Sequence, residues 1–127
     1  PDGLEILYAR SKIVVDSAAA GLRPPFDVVH LDVRDRQGLE EECRLARSLG
    51  FRGKLCIHPA QVPVVNRVFS PTPEEVAWAR RVVEAFEEGV SSGRGAIGLE
   101  GVLVDRPVVE RARAVLEEAT RAEGGAR

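Results

Sequence analysis

Two short apolar runs, joined by one amphipathic stretch, constrain this chain more than anything else in it. Phe26 to Val33 (FDVVHLDV) is nearly continuous and β-branched, and Lys54 to Ile57 (KLCI) is a second such run. Between them, Leu39, Cys43, Ala46 and Leu49 recur at helical spacing, and Gly50 closes the pattern. Strand, helix and strand with short connections make a βαβ unit, so the two strands are parallel. Parallel strands are buried on both faces, and two of them do not make a sheet. The sequence therefore predicts either assembly with other chains or membership of something longer.

The remaining elements are helical. Residues 2–21 read as a helix, with Asp2 as cap and Glu5 completing a capping box. Leu4, Leu7, Tyr8, Val15, Ala18, Ala19 and Leu22 form its apolar stripe. Gly21 ends it, and Pro24-Pro25 forbids continuation. Val62 to Phe69 predicts one or two helical turns. Thr72, Pro73 and Glu75 open a helix that reaches about Val90. Ala96 to Val104 predicts two short strands turning at Glu100-Gly101. Asp105-Arg106-Pro107 starts a last helix, and residues from Glu123 onward predict a frayed tail.

Charge and cysteine content exclude several functions. Eighteen basic and twenty acidic side chains are interspersed, giving a net charge of −2. No basic block points to nucleic acid or an anionic membrane. No signal peptide or transmembrane stretch is read in the sequence. Cys43 and Cys56 lack CxxC spacing and sit in apolar patterns, so both predict buried free thiols of a cytoplasmic protein, with a disulfide the alternative.

Four stretches, in order, resemble the C-terminal half of the citrate lyase beta-subunit-like family, which includes malyl-CoA and citramalyl-CoA lyases. They are GLEILYARS at 3–11, FDVVHLDVRDRQGL at 26–39, ARSLGFRGKLCIHPAQVPVVNRVFSPTPEEVAWAR at 46–80 and GVLVDRPVVERAR at 101–113. The GK-x-x-IHP-x-Q run, followed by FSP-T and VD-x-P, is the specific part. The resemblance implies an α/β fold, a TIM (β/α)8 barrel with a helical and hairpin C-terminal extension. Such barrels take about 250 residues. This chain would supply the last two βα units (1–70) and the helix-hairpin-helix extension (71–127). The resemblance further implies Mg²⁺ held by a Glu and an Asp from earlier strands, and a substrate-binding Arg from the N-terminal half. None of those positions falls in this chain, so no metal ligand is assigned here.

Asp105 carries two readings. By its residues alone it caps the last helix. The resemblance implies that the Asp of VD-x-P reaches a neighbouring subunit's active site and works there as acid or base on the acetyl-CoA methyl carbon. Ile57 and His58 stand at the C-terminal end of a strand, where barrel active sites gather. The resemblance implies that they line the channel for the CoA pantetheine arm, and the bland alternative for His58 is a hydrogen-bonded structural histidine. Gln61 reads as a supporting partner or a cap. Asp35 reads as a helix cap, and Asp32 as a hydrogen-bond partner of the neighbouring loop. His30 reads as a core or barrel-wall residue, Trp78 as helix-face packing, and Arg52 and Lys54 as solvated cations that could alternatively meet CoA phosphates.

The resulting expectation is a Mg²⁺-dependent carbon–carbon lyase. It would cleave a citryl-, malyl- or citramalyl-type 3-hydroxyacyl-CoA to acetyl-CoA and a keto acid, with its active site incomplete in this chain. The partners expected are an acyl-CoA substrate and a homo-oligomer, a trimer for preference, or else an N-terminal half-barrel chain. The alternatives are a non-catalytic half-barrel or oligomerising, CoA-binding module, and a malate-synthase-like condensing enzyme or thioesterase.

Overall fold

The computed structural model describes residues 3–93 and 96–124. The chain divides into two compact units, Pro1–Phe69 and Ser70–Arg127.

The first unit contains helix α1 (Leu4–Ala19), strand β1 (Phe26–Asp27), helix α2 (Arg36–Leu49), strand β2 (Gly53–Lys54) and helix α3 (Val62–Phe69). β1 and β2 pair in parallel, Phe26 with Gly53 and Asp27 with Lys54. Asp35 caps α2 by accepting from Gly38 N at 2.9 Å, and Gly50 ends it at φ 103°. Leu39, Cys43 and Ala46 of α2 meet Val64, Val65 and Phe69 of α3 over Phe51, forming the core of this unit. Burial pushes the Cys43 thiol up to about 11, and nearby carboxylates add to the shift, so it stays protonated at neutral pH.

Several expectations fail in this unit for one physical reason. The paired strands are two residues long, and the apolar run beyond them is open on one side. Phe26, Val28 and Leu31 are 51%, 57% and 79% exposed, so the strand is not buried on both faces. Cys56 is exposed rather than buried. In α1, Leu4, Tyr8 and Val15 are exposed, while Arg10 is buried and Val14 meets the core. These positions carry residues suited to burial, and no strand or helix among the described residues of this unit covers them. Gly3 occupies the α1 N-cap position without a side-chain cap, and the Asp2 cap lies outside the described residues.

The second unit contains helix α4 (Pro73–Ser91), hairpin strands β3 (Ile97–Leu99) and β4 (Val102–Val104), and helix α5 (Arg106–Gly124). Thr72 and Glu75 form the capping box: Glu75 N donates to Thr72 Oγ1 at 3.2 Å, and Thr72 N donates to Glu75 Oε2 at 2.7 Å. Glu100 and Gly101 both take positive φ (50° and 82°), as a two-residue turn of the primed type requires. Ala79, Val82, Val104, Val109 and Ala112 form this unit's core, with Trp78 packed against it. α5 is helical to Gly124, past the predicted fraying point, and residues 125–127 lie outside the description. Among the described residues no helix is long and apolar enough to cross a membrane.

Candidate functional site

The paired strands carry a buried charge network. Asp27, 2% exposed, accepts from Arg10 Nε at 3.2 Å and Nη2 at 2.9 Å. Its Oδ2 also accepts from Lys54 Nζ at 2.8 Å. Lys54 turns its remaining charge to Glu42 Oε2 at 2.8 Å, and Glu42 Oε1 meets His30 Nδ1 at 3.0 Å. Every cation here has a carboxylate partner, which is the condition for keeping charge out of water. Lys54 is therefore not the solvated cation that its position at a strand start predicts. Arg52 is exposed, as a solvated cation would be, and its guanidinium also lies over the Phe26 ring at 4.2 Å.

Burial raises the Glu42 carboxyl, but hydrogen bonds and charge from Lys54 and His30 outweigh it and hold its pKa below the ordinary 4.5. A carboxyl depressed on folding contributes stability that is present above its unfolded pKa and lost as pH falls through its folded value. Glu42→Gln is therefore expected to lower the urea midpoint at pH 7 and to flatten its decline below about pH 4.5. An unchanged acid limb in this variant would show that Glu42 does not carry the pH dependence.

The segments beyond the strands hold the residues singled out in sequence. Ile57 is 52% exposed, and His58 is exposed. His58 precedes Pro59 in an extended conformation and caps the single 3-10 turn Pro59–Gln61. Its Nδ1 accepts from Ala60 N at 3.1 Å, so the neutral ring carries its proton on Nε2. Gln61 is 2% exposed and bridges the two segments. Its Oε1 accepts from Ile57 N, and its Nε2 donates to His30 O, both at 2.9 Å. Asp32 accepts from Arg34 N at 2.9 Å, a local loop bond. A cleft of about 600 Å³ opens between α1, the segment after β1 and α2, over Arg10, Asp27 and Lys54; neither Ile57 nor His58 lines it.

Asp105 lies in the other unit. Its Oδ1 accepts from Val108 N at 3.2 Å, capping α5, and the side chain is half-buried. The fit of a metal is poor: among the described residues no group of three or more His, Cys, Asp or Glu side chains could hold one. Asp32 and Asp35 are occupied by backbone N–H groups.

Sequence reasoning missed the charge network. Its only trace was polar residues inside apolar runs, Asp27 in one strand and Lys54 at the start of the other, with Arg10 on a helix face.

A parallel strand–helix–strand pair flanked by helices, with its polar groups gathered at and beyond the strands' carboxyl ends, is a piece of an α/β barrel. The chain belongs to the C–C bond lyase family of the TIM-barrel fold, whose model matches residues 11–120. It is 43% identical over 119 residues to the mitochondrial citramalyl-CoA lyase of Rattus norvegicus, covering 94% of this chain and 35% of that one. It is 44% identical over 117 residues to citrate lyase subunit beta of Leuconostoc mesenteroides subsp. cremoris, covering 92% and 38%. A crystal structure of CitE from Mycobacterium tuberculosis, in complex with magnesium, acetoacetate and coenzyme A, matches with a TM-score of 0.74 at 43% identity. That match covers 89% of this chain and 40% of that one. The chain thus spans well under half the length of the relatives it matches.

Proposed function

We propose that this chain is the C-terminal part of a carbon–carbon lyase acting on a 3-hydroxyacyl-CoA dicarboxylate, of the citryl-, malyl- or citramalyl-CoA type. The single observation that carries this is its identity of over 40% to citramalyl-CoA lyase and citrate lyase subunit beta. The match extends through the segments that hold Ile57, His58 and Asp105. In cleavage the substrate hydroxyl gives its proton to a base elsewhere in the complete barrel and becomes the keto oxygen. The electrons of the broken C–C bond pass to the thioester as an enolate, whose carbon then takes a proton to give acetyl-CoA. Asp105 is the proton donor to that carbon, and in the reverse direction it removes a methyl proton. Ile57 and His58 border the pantetheine arm, with His58 Nε2–H available as a donor.

A Mg²⁺ ion supplies the means to polarise the keto or hydroxyl oxygen in such a lyase. The described residues do not fit one, so its ligands belong to earlier strands of a complete barrel. The open side of the strand pair calls for those strands, and Asp105 acting across subunits calls for a homo-oligomer, a trimer for preference.

The test is a lyase assay with Mg²⁺ on citryl-, malyl- and citramalyl-CoA, run on the chain alone and mixed with the N-terminal portion of a relative. Turnover is expected only in the mixture. Tight Mg²⁺ binding by the chain alone would sink this account of the metal site. Absence of turnover in every mixture would favour a non-catalytic module.

A further inference from the structure

We propose that Gln61 is a positioning residue: its buried amide is spliced between the ends of the two strands and fixes the backbone of Ile57 and His58. This rests on the reading of that segment as part of the acyl-CoA channel.

The register carries the argument. Asp27 stands opposite Lys54, and Leu55 N still donates to Asp27 O at 3.0 Å. Continuing that pattern two residues along both strands would bring the Ile57 N–H to the Val29 carbonyl. They do not meet. Ile57 N–H donates instead to Gln61 Oε1, and Gln61 Nε2 donates to His30 O. One side-chain amide takes the Ile57 N–H where the ladder stops and ties it to the carbonyl of His30, one residue further along the other segment.

Both sides of the clasp are anchored. Gln61 N donates to His58 O at 3.0 Å, and α3, which follows at once, is seated in the core through Val64, Val65 and Phe69. On the other side, the His30 ring is tied to Glu42, which is tied in turn to Lys54. The amide is suited to this place because it offers an acceptor and a donor at once. An ionised carboxylate has no donor, a thioether has neither strong donor nor strong acceptor, and asparagine is one methylene short. Leaving the Ile57 N–H and the His30 carbonyl unpaired costs more than two exposed bonds would. The consequence is that a half-exposed Ile57 and an exposed His58 are presented in one fixed conformation.

The experiment compares the unsubstituted chain with Gln61→Met and Gln61→Glu, each first shown to be folded by circular dichroism. Backbone exchange of the Ile57 amide is read without ligand, and acetyl-CoA affinity is read by calorimetry. Gln61→Met is expected to lose Ile57 protection and to bind acetyl-CoA about tenfold more weakly or worse. Gln61→Glu is expected to be defective at neutral pH and to recover on acidification, because its protonated carboxyl again offers a donor and an acceptor. Running the unsubstituted chain at each pH removes any pH dependence that does not come from the substituted position. That conditional recovery keeps the proposal testable if Gln61→Met fails to fold. Retained Ile57 protection, or lost protection with unchanged affinity, overturns the positioning role. No acetyl-CoA binding by the unsubstituted chain overturns the channel reading and the role with it, while the exchange data still show whether the clasp exists.

Discussion

Asp27→Ala is expected to unfold the first unit, or to leave it so weak that it melts in low denaturant. Asp27 is the shared partner of two buried cations. Among the described residues, its removal leaves Lys54 with Glu42 and leaves Arg10 with the Phe51 ring, 5.8 Å away. Removing one partner of a buried pair costs about 3–5 kcal/mol, against a total of roughly 5–15 kcal/mol for an ordinary domain. The loss is large because a buried charge stays uncompensated. Substituting Arg10, Asp27 and Lys54 together by Met, Leu and Met is therefore expected to be far milder than Asp27→Ala alone. Urea unfolding of both variants decides the matter. If the triple variant is as weak as the single one, packing around Asp27 rather than charge pairing holds the unit.

The network also explains which parts of the fold were legible in sequence. The helices that carry their own signals were readable: Asp35 and Gly50 bound α2, and Thr72, Pro73 and Glu75 open α4. The turn at Glu100-Gly101 was readable because that pair is itself a turn signal between two short apolar runs. All of these signals are local. The exposure of Phe26, Val28, Leu31 and Cys56 was not readable, since a β-branched run records the environment a strand is built for and not the covering that a given chain supplies. Lys54 was misread for a related reason. Its burial depends on Asp27, 27 positions away in sequence, and on Glu42 in the intervening helix. No window on the sequence shows that.

The candidate site divides along the same line. His58 before Pro59 could be read as restricted from two adjacent residues. The place of Gln61 between Ile57 and His30 could not, because it spans a register known only once the strands are paired. For Asp105 the local signal was clear and chemically ambiguous. The cap is present, and a cap is what an Asp before Arg-Pro provides whether or not it also moves a proton.

That ambiguity is resolved by one substitution in the assembled lyase. Asparagine caps helices about as well as aspartate, so Asp105→Asn is expected to leave α5 and the stability of the second unit unchanged. It removes the only proton-transferring function of the side chain, so turnover is expected to fall about 10²- to 10⁴-fold. Asp105→Ala is expected to lose the cap as well, at about 0.5–2 kcal/mol of stability, without a further comparable loss of rate. The loss should lie in kcat rather than in KM, because capping and substrate binding survive in the asparagine variant. Exchange of the acetyl-CoA methyl protons with solvent deuterium gives a second readout, since it requires the same proton transfer without bond making. If Asp105→Asn keeps both turnover and methyl exchange, Asp105 is a helix cap and the acid/base group lies elsewhere in the barrel. If it loses both while melting at the parent's temperature, the rate loss has no structural explanation and belongs to the proton.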